Sequence, residues 1–224
     1  MMRTFFSSIA AGWLVGIGGV AYLSCDSRYV GALLFAFGLF AICTFGFDLY
    51  TGKIGYVLES SSAALWRKNG VIWLGNLAGA VSFGLLINAA KPELLDAARA
   101  LCTAKLSQSF IKTLVLSAMC GIIIYAAVDA YKKQPGSTSR YLGILLGIPL
   151  FILCGFEHSI ADMFYFALSV RSLSDLPRVA GFLLLVSVGN AIGSLLFNLC
   201  QRFKDGKPIK AEGSDAAATE HTPS

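Results

Sequence analysis

The chain repeatedly runs for about twenty residues almost without charge, between short polar segments, from Thr4 to Cys200. Each such run is long enough for one helical membrane span, and about six fit before the polar tail. The composition agrees. Of 224 residues, 56% are hydrophobic and only 14% charged, with a mean hydropathy of +0.68. Soluble domains carry about 25% charged residues, so an all-α polytopic membrane protein is expected. The net charge of +5 sits on lysines and arginines scattered through loops, not clustered with aromatics, which argues against a nucleic-acid partner. Cysteines 25, 43, 102, 120, 154 and 200 form no C-x-x-C and lie mostly in apolar runs, as small packing residues do. No histidine pair has metal-ligand spacing, so no metal or cofactor is expected.

In chain order, the expected spans are about 4–24, 29–58, 71–89, 107–131, 141–170 and 179–200. Arg3 followed by an apolar run reads as a first span, because no small-residue cleavage site follows. Ser60 to Arg67 is expected along the interface, with Trp66-Arg67-Lys68 as anchor. Pro92 to Arg99 reads as a polar, short helical loop. Six spans put both ends on one side. The loops of that side hold ten positive residues, Arg3, Arg67, Lys68, Lys132, Lys133, Arg140, Arg202, Lys204, Lys207 and Lys210, against five on the other, Arg28, Lys91, Arg99, Arg171 and Arg178. The positive-inside rule then places both termini in the cytoplasm. The expected division is a transmembrane domain over 1–203, with halves of about 4–90 and 105–203, and a disordered cytoplasmic tail over 204–224.

Two spans are interrupted. In the fifth, Gly155-Phe156-Glu157-His158-Ser159-Ile160-Ala161-Asp162 places three ionisable residues at membrane depth. Each costs about 2.5–3.5 kcal/mol on insertion scales, which makes the stretch a functional-site candidate. His158 is the only histidine outside the tail, and imidazole changes charge most easily near neutral pH. In the second span, Gly46-Phe47-Asp48-Leu49-Tyr50-Thr51-Gly52-Lys53 interrupts the apolar run in the same way. Gly46-Phe47-Asp48 matches Gly155-Phe156-Glu157 at an offset of 109 positions, and Ala11-Gly12 matches Cys120-Gly121 at the same offset. Gly75-Asn76-x-x-Gly79 matches Gly189-Asn190-x-x-Gly193 at 114. These matches predict two inverted three-helix repeats with broken second and fifth helices, an arrangement that points to a substrate site near the midplane.

The fifth-span stretch is similar over its whole length to the signature of the formate/nitrite transporter family. Asp48-Leu49-Tyr50-Thr51 resembles that family's acid-Leu-Phe-Thr loop, Gly189-Asn190-x-x-Gly193 its sixth-span motif, and Lys105 its vestibule lysine. The resemblance covers about residues 4–203. It implies six helices per protomer, an aquaporin-like shape, and a homopentamer in the plasma (inner) membrane with one pore per protomer. It also implies passage of small monovalent anions such as formate, nitrite, lactate or hydrosulfide. His158 would be the central pore histidine, Thr51 part of a mobile loop, and Leu49 and Tyr50 neighbours of a constriction. The sequence departs from the family at Gly121 and Asp162, where asparagine is usual, and at Tyr50, which replaces a common phenylalanine.

The chemistry expected of such a site is proton-linked. An anion in an apolar constriction meets a large desolvation cost. Lys105 at the outer mouth would concentrate anions, and His158 would donate a hydrogen bond or a proton so that a weak acid crosses neutral. A half-helix starting after His158 would offer its positive end. Asp48 and Glu157, with Gly46 and Gly155, are expected to tie the broken backbone together; Asp162 either caps the half-helix or pairs with His158. Two other readings remain: a divergent relative passing a neutral solute or acting as a sensor, and an intramembrane enzyme using Glu157 and His158, which lacks a nucleophile setting.

Overall fold

A computed structural model describes residues 1–59, 62–169 and 173–207; Ser60, Arg171 and the tail from 208, with Lys210, lie outside the described residues. The described residues are helical, with no strand. The elements are α1 (Met2–Ser24), α2 (Arg28–Phe45), α3 (Tyr50–Lys53), α4 (Ala63–Ala90), α5 (Leu95–Leu106), α6 (Phe110–Lys133), α7 (Leu142–Leu153), α8 (Ser159–Ser169) and α9 (Leu176–Lys204). Among the described residues, α1, α2, α4, α6 and α9 are long and apolar enough to cross a membrane. The remaining apolar run is split into α7 and α8. Serines start three of the long helices. Ser27, Ser62 and Ser109 each accept a backbone N–H of the first turn, satisfying donors that lipid cannot.

Both interruptions are helix ends of one design. Gly46 (φ 73°) and Gly155 (φ 69°) adopt the left-handed conformation that closes a helix. The residue after each bonds back to the last turn: Phe47 N to Ile42 O at 3.0 Å, and Phe156 N to Phe151 O at 2.9 Å. The following segment re-enters as α3 with a 3-10 turn over Ile54–Glu59 in the first case, and as α8 in the second.

Two of the most extensive helix pairings, α1 with α4 and α6 with α9, rest on small residues. A Cβ on Gly12 would lie 2.6 Å from the Asn76 carbonyl oxygen. On Gly121 it would run into the Asn190 carbonyl, and on Gly193 into that of Ala118. The outward faces carry exposed apolar side chains, among them Phe6, Trp13, Leu33, Phe37, Leu85, Leu184 and Leu196. Lipid accommodates such a surface and water does not.

Two expected segments take definite form. The segment expected along the interface belongs to α4 from Ala63 onward, because the Ser62 cap starts the helix early; Trp66, Arg67 and Lys68 form its first turns. The loop expected over Pro92 to Arg99 is a 3-10 turn followed by α5, built from strong helix formers and ending at Leu106, so Lys105 stands on a helix. At the other end, α9 continues to Lys204, slightly past the expected end of the domain.

Candidate functional site

The two breaks are held by two asparagines in matching networks. Asn76 Oδ1 accepts from Tyr50 N at 2.9 Å, while its Nδ2 donates to Ser8 O (2.8 Å) and Asp48 O (2.9 Å). Asn190 Oδ1 accepts from Ser159 N at 2.9 Å, while its Nδ2 donates to Ser117 O and Glu157 O, both at 2.8 Å. Ser8 and Ser117, Asp48 and Glu157, and Tyr50 and Ser159 are each 109 positions apart, the offset of the sequence matches. Each amide thus accepts from a backbone N–H at a break and donates to two carbonyls, one at the break and one in the neighbouring helix, α1 or α6. Asp48 and Glu157 take part at the breaks in two ways. Their carbonyls are tied down by the asparagines, and their carboxylates bind lysines: Asp48 to Lys53, Glu157 to Lys105.

His158 is 3% exposed and joins the two breaks. Its Nε2 lies 3.0 Å from Thr51 Oγ1, and its Nδ1 accepts from Ala161 N at 3.1 Å. An Nδ1 that accepts a backbone N–H carries no proton. The neutral ring is therefore the Nε2–H tautomer, donating to the Thr51 hydroxyl. Phe151 stacks on the imidazole, with centroids 5.7 Å apart at 27°. The first N–H groups of α8 are also engaged: Ser159 N with Asn190, Ala161 N with the His158 ring, and Asp162 N with His158 O at 2.9 Å. Three of the four N–H groups at the end expected to face an anion are thus bound to protein groups.

Lys105 Nζ bonds the Glu157 carboxylate and lies 2.9 Å from Asp162 Oδ1. Its side chain is only 11% exposed. Gln108 Nε2 donates to the second Glu157 oxygen at 2.7 Å. Asp162 thus pairs with Lys105, which overturns both expected roles, capping and pairing with His158. Reach explains it: the last turn of α5 delivers Lys105 between Glu157 and the first turn of α8. The lysine expected at an open mouth is enclosed between two acids.

Of two cavities that share no lining residue, one borders Leu49 and Gly52, on either side of Thr51 in the chain, and the other borders His158; Thr51 itself lines neither. One, of about 230 Å³, is bounded by Ile42, Gly46, Phe47, Leu49, Lys53 and Tyr131 among others. The other, of about 100 Å³, is bounded by Tyr22, Phe151, Gly155, Phe156, His158 and Asp162, with Lys105 and Arg28. The linings correspond at the 109-position offset: Gly46 with Gly155, Phe47 with Phe156, Tyr22 with Tyr131. Chemistry distinguishes them where Leu49 is matched by His158 and Lys53 by Asp162. Tyr50 stands apart, its hydroxyl donating to Ser187 O at 3.3 Å. Gly121 faces the α9 backbone, with its carbonyl accepting from Ser194 Oγ at 3.1 Å, and borders neither of these cavities. Sequence reasoning missed Arg28, whose Nη2 reaches Leu153 O at 2.9 Å on the cavity wall, and Gln108. It also singled out the asparagines only as repeat markers; their shared spacing from the two breaks was the available signal.

A helical membrane protein with two re-entrant breaks, meeting at a buried polar pair that borders a cavity, has the architecture of a channel or transporter. The comparisons specify which. The family model described as formate/nitrite transporter matches residues 1–203, and the chain belongs to that family. Among curated relatives, the formate channel FocB of Escherichia coli (strain K12) is 27% identical, with 90% of this chain and 86% of that one covered. The nitrite transporter NirC of Salmonella typhimurium is 29% identical, covering 85% and 78%. Among solved structures, one described as an FNT family ion channel superposes with a TM-score of 0.83 at 26% identity, covering 92% of this chain and 91% of that one. One described as a pentameric formate channel with formate bound has a TM-score of 0.77 at 24% identity, covering 92% and 97%.

Proposed function

We propose that this chain passes small monovalent weak-acid anions, of the formate, nitrite, lactate or hydrosulfide class, across the plasma (inner) membrane. It does so as a homopentamer with one pore in each protomer and both termini cytoplasmic. Its halves are read as two inverted three-helix repeats over about 4–90 and 105–203. The observation that carries this reading is the buried hydrogen bond from His158, on the wall of one cavity, to Thr51, whose chain neighbour Gly52 lines the other. The substrate path runs through both cavities, with Leu49 along one, His158, Lys105 and Asp162 along the other, and Thr51 joining them at the His158 ring. The Thr51 hydroxyl, receiving the His158 proton, keeps its own hydrogen to offer an anion. Proton linkage passes through the imidazole.

A second reading, passage of a neutral solute, is favoured by one observation: Lys105 is balanced by two carboxylates and presents no net positive charge. Uptake in proteoliposomes separates the two. Labelled formate and nitrite are supplied to wild type and His158→Asn at about pH 5.5 and about pH 7.5, either side of the reference histidine value. The anion reading expects uptake by wild type, stronger at the acid side and lost in the variant. Uptake unaffected by the substitution, or absent for both anions, overturns it.

A further inference from the structure

At the cavity beside His158, the Lys105 ammonium is held between two carboxylates, Asp162 on the cavity wall and Glu157 behind it, while the Arg28 guanidinium on the same wall is turned to backbone carbonyls. Asp162 is 1% and Glu157 2% exposed. With all three groups ionised the cluster is net negative, where an anion is expected to pass. Like charges so close in a poorly solvated site disfavour one another. A proton on one of the acids relieves this repulsion, and the geometry distinguishes them. Both Glu157 oxygens are engaged, one by Lys105 and the other by Gln108. Asp162 Oδ2 is buried without a hydrogen-bond partner, and Asp162 borders the cavity. A buried polar atom without a partner is costly in a finished network, and on a carboxylate it is a place for a proton. The other groups facing Asp162 do not compete. His158 has both ring nitrogens engaged. Arg28 of α2 is bound to the α7 carbonyls. Tyr22 of α1, Cys102 of α5, Cys120 of α6 and Tyr165 of α8 are the remaining titratable neighbours, all uncharged in their ordinary states near neutral pH.

We propose that Asp162 is the proton-binding group of this pathway. A proton taken from solvent onto Oδ2 leaves Lys105 and Glu157 as a balanced pair, and the new O–H donates a hydrogen bond to a carboxylate or nitrite anion beside His158. Anion occupancy then requires a proton on Asp162, so uptake is strongest on the acid side and falls as pH rises through the titration of this carboxyl. This inference rests on the anion reading above. It adds to the imidazole of that reading a second proton group, an aspartate that distinguishes this chain from the asparagine usual there.

Two measurements test it. In proteoliposomes, Asp162→Asn supplies a permanent neutral donor. Formate uptake by this variant at about pH 7.5 is expected to rise toward its value at about pH 5.5, whereas wild-type uptake falls between them. The protonation of formate itself is common to both proteins, so their ratio isolates the side chain. Wild-type and variant profiles that run parallel overturn the proposal. In parallel, infrared spectra of the assembled wild-type protein carrying 13C-labelled aspartate or glutamate report which acid is protonated at about pH 5.5. A protonated-carboxyl band that shifts with the aspartate label in wild type, and is retained in Asp48→Asn and Asp129→Asn, supports Asp162, even if Asp162→Asn fails to assemble. A band that shifts with the glutamate label, or no band, overturns it. Wild type without uptake but with the aspartate band defeats the anion reading and leaves the proton site standing.

Discussion

Thr51 Oγ1 and His158 Nε2 stand 3.0 Å apart although 107 positions separate them in the chain. They are brought together by two helix breaks, each closed by a left-handed glycine and pinned by an asparagine. The tautomer is set locally, because Ala161 N–H occupies Nδ1. The contact therefore has a direction, from ring N–H to hydroxyl oxygen. Thr51→Ala removes the acceptor and leaves a buried ring N–H without a partner, at a cost of about 1–3 kcal/mol. Formate uptake is expected to fall by roughly tenfold or more, and Thr51→Ser, which restores the hydroxyl, to recover most of it. Equal uptake by the alanine and serine variants would show that the hydroxyl is not used.

Asn190 and Asn76 each serve three backbone groups. Asn190→Asp keeps the shape and the acceptor but removes both donors, leaving the Ser117 and Glu157 carbonyls facing a carboxylate. Each orphaned buried acceptor costs about 1–3 kcal/mol. The variant is expected to melt well below wild type in detergent, read by the loss of the assembled species on size exclusion after heating. Asn76→Asp is expected to do the same at the other break. Wild-type melting for both would remove the asparagines from the account of how the breaks are held.

Gly121 tests whether the missing family asparagine is a pore feature. Any Cβ at this position meets the Asn190 carbonyl, and the Gly121 carbonyl is itself bound by Ser194. Gly121→Asn is therefore expected to push α6 from α9 and reduce the yield of assembled protein, at the 1–3 kcal/mol typical of overpacking or more. It is not expected to add a donor to the pathway. A variant that assembles normally and transports faster would place residue 121 in the pore.

Several features were legible before the tertiary structure. Lipid demands long apolar helices, so the spans follow from hydropathy. Gly46 and Gly155 mark the breaks because a left-handed residue ends a helix. The offset of 109 ties the two breaks together, and the same offset relates the residues of the two networks. The family resemblance then singled out His158 and Thr51, which the fold brings into contact. The role of Asp162 was not legible, because its partner stands on α5, fifty-odd positions upstream, and an i, i+4 spacing from His158 pointed elsewhere. The first turn of α8 likewise looked open to an anion until its N–H groups found Asn190 and the His158 ring.

The sequence by itself determined a multi-pass helical membrane protein with two broken spans and a histidine at one of them. That follows from local physics: apolar length, glycine conformation, and the cost of placing charge in lipid. Only the tertiary structure decided where each polar side chain spends its hydrogen bonds. Lys105 could have faced an open mouth, and Glu157 and Asp162 could have bound backbone. The approach of α5 to α8 instead places one ammonium between two carboxylates, and the close contact of α6 with α9 gives Gly121 to packing. Those outcomes depend on distances across the fold, which one-dimensional spacing does not encode, and they determine the charge an anion meets beside His158.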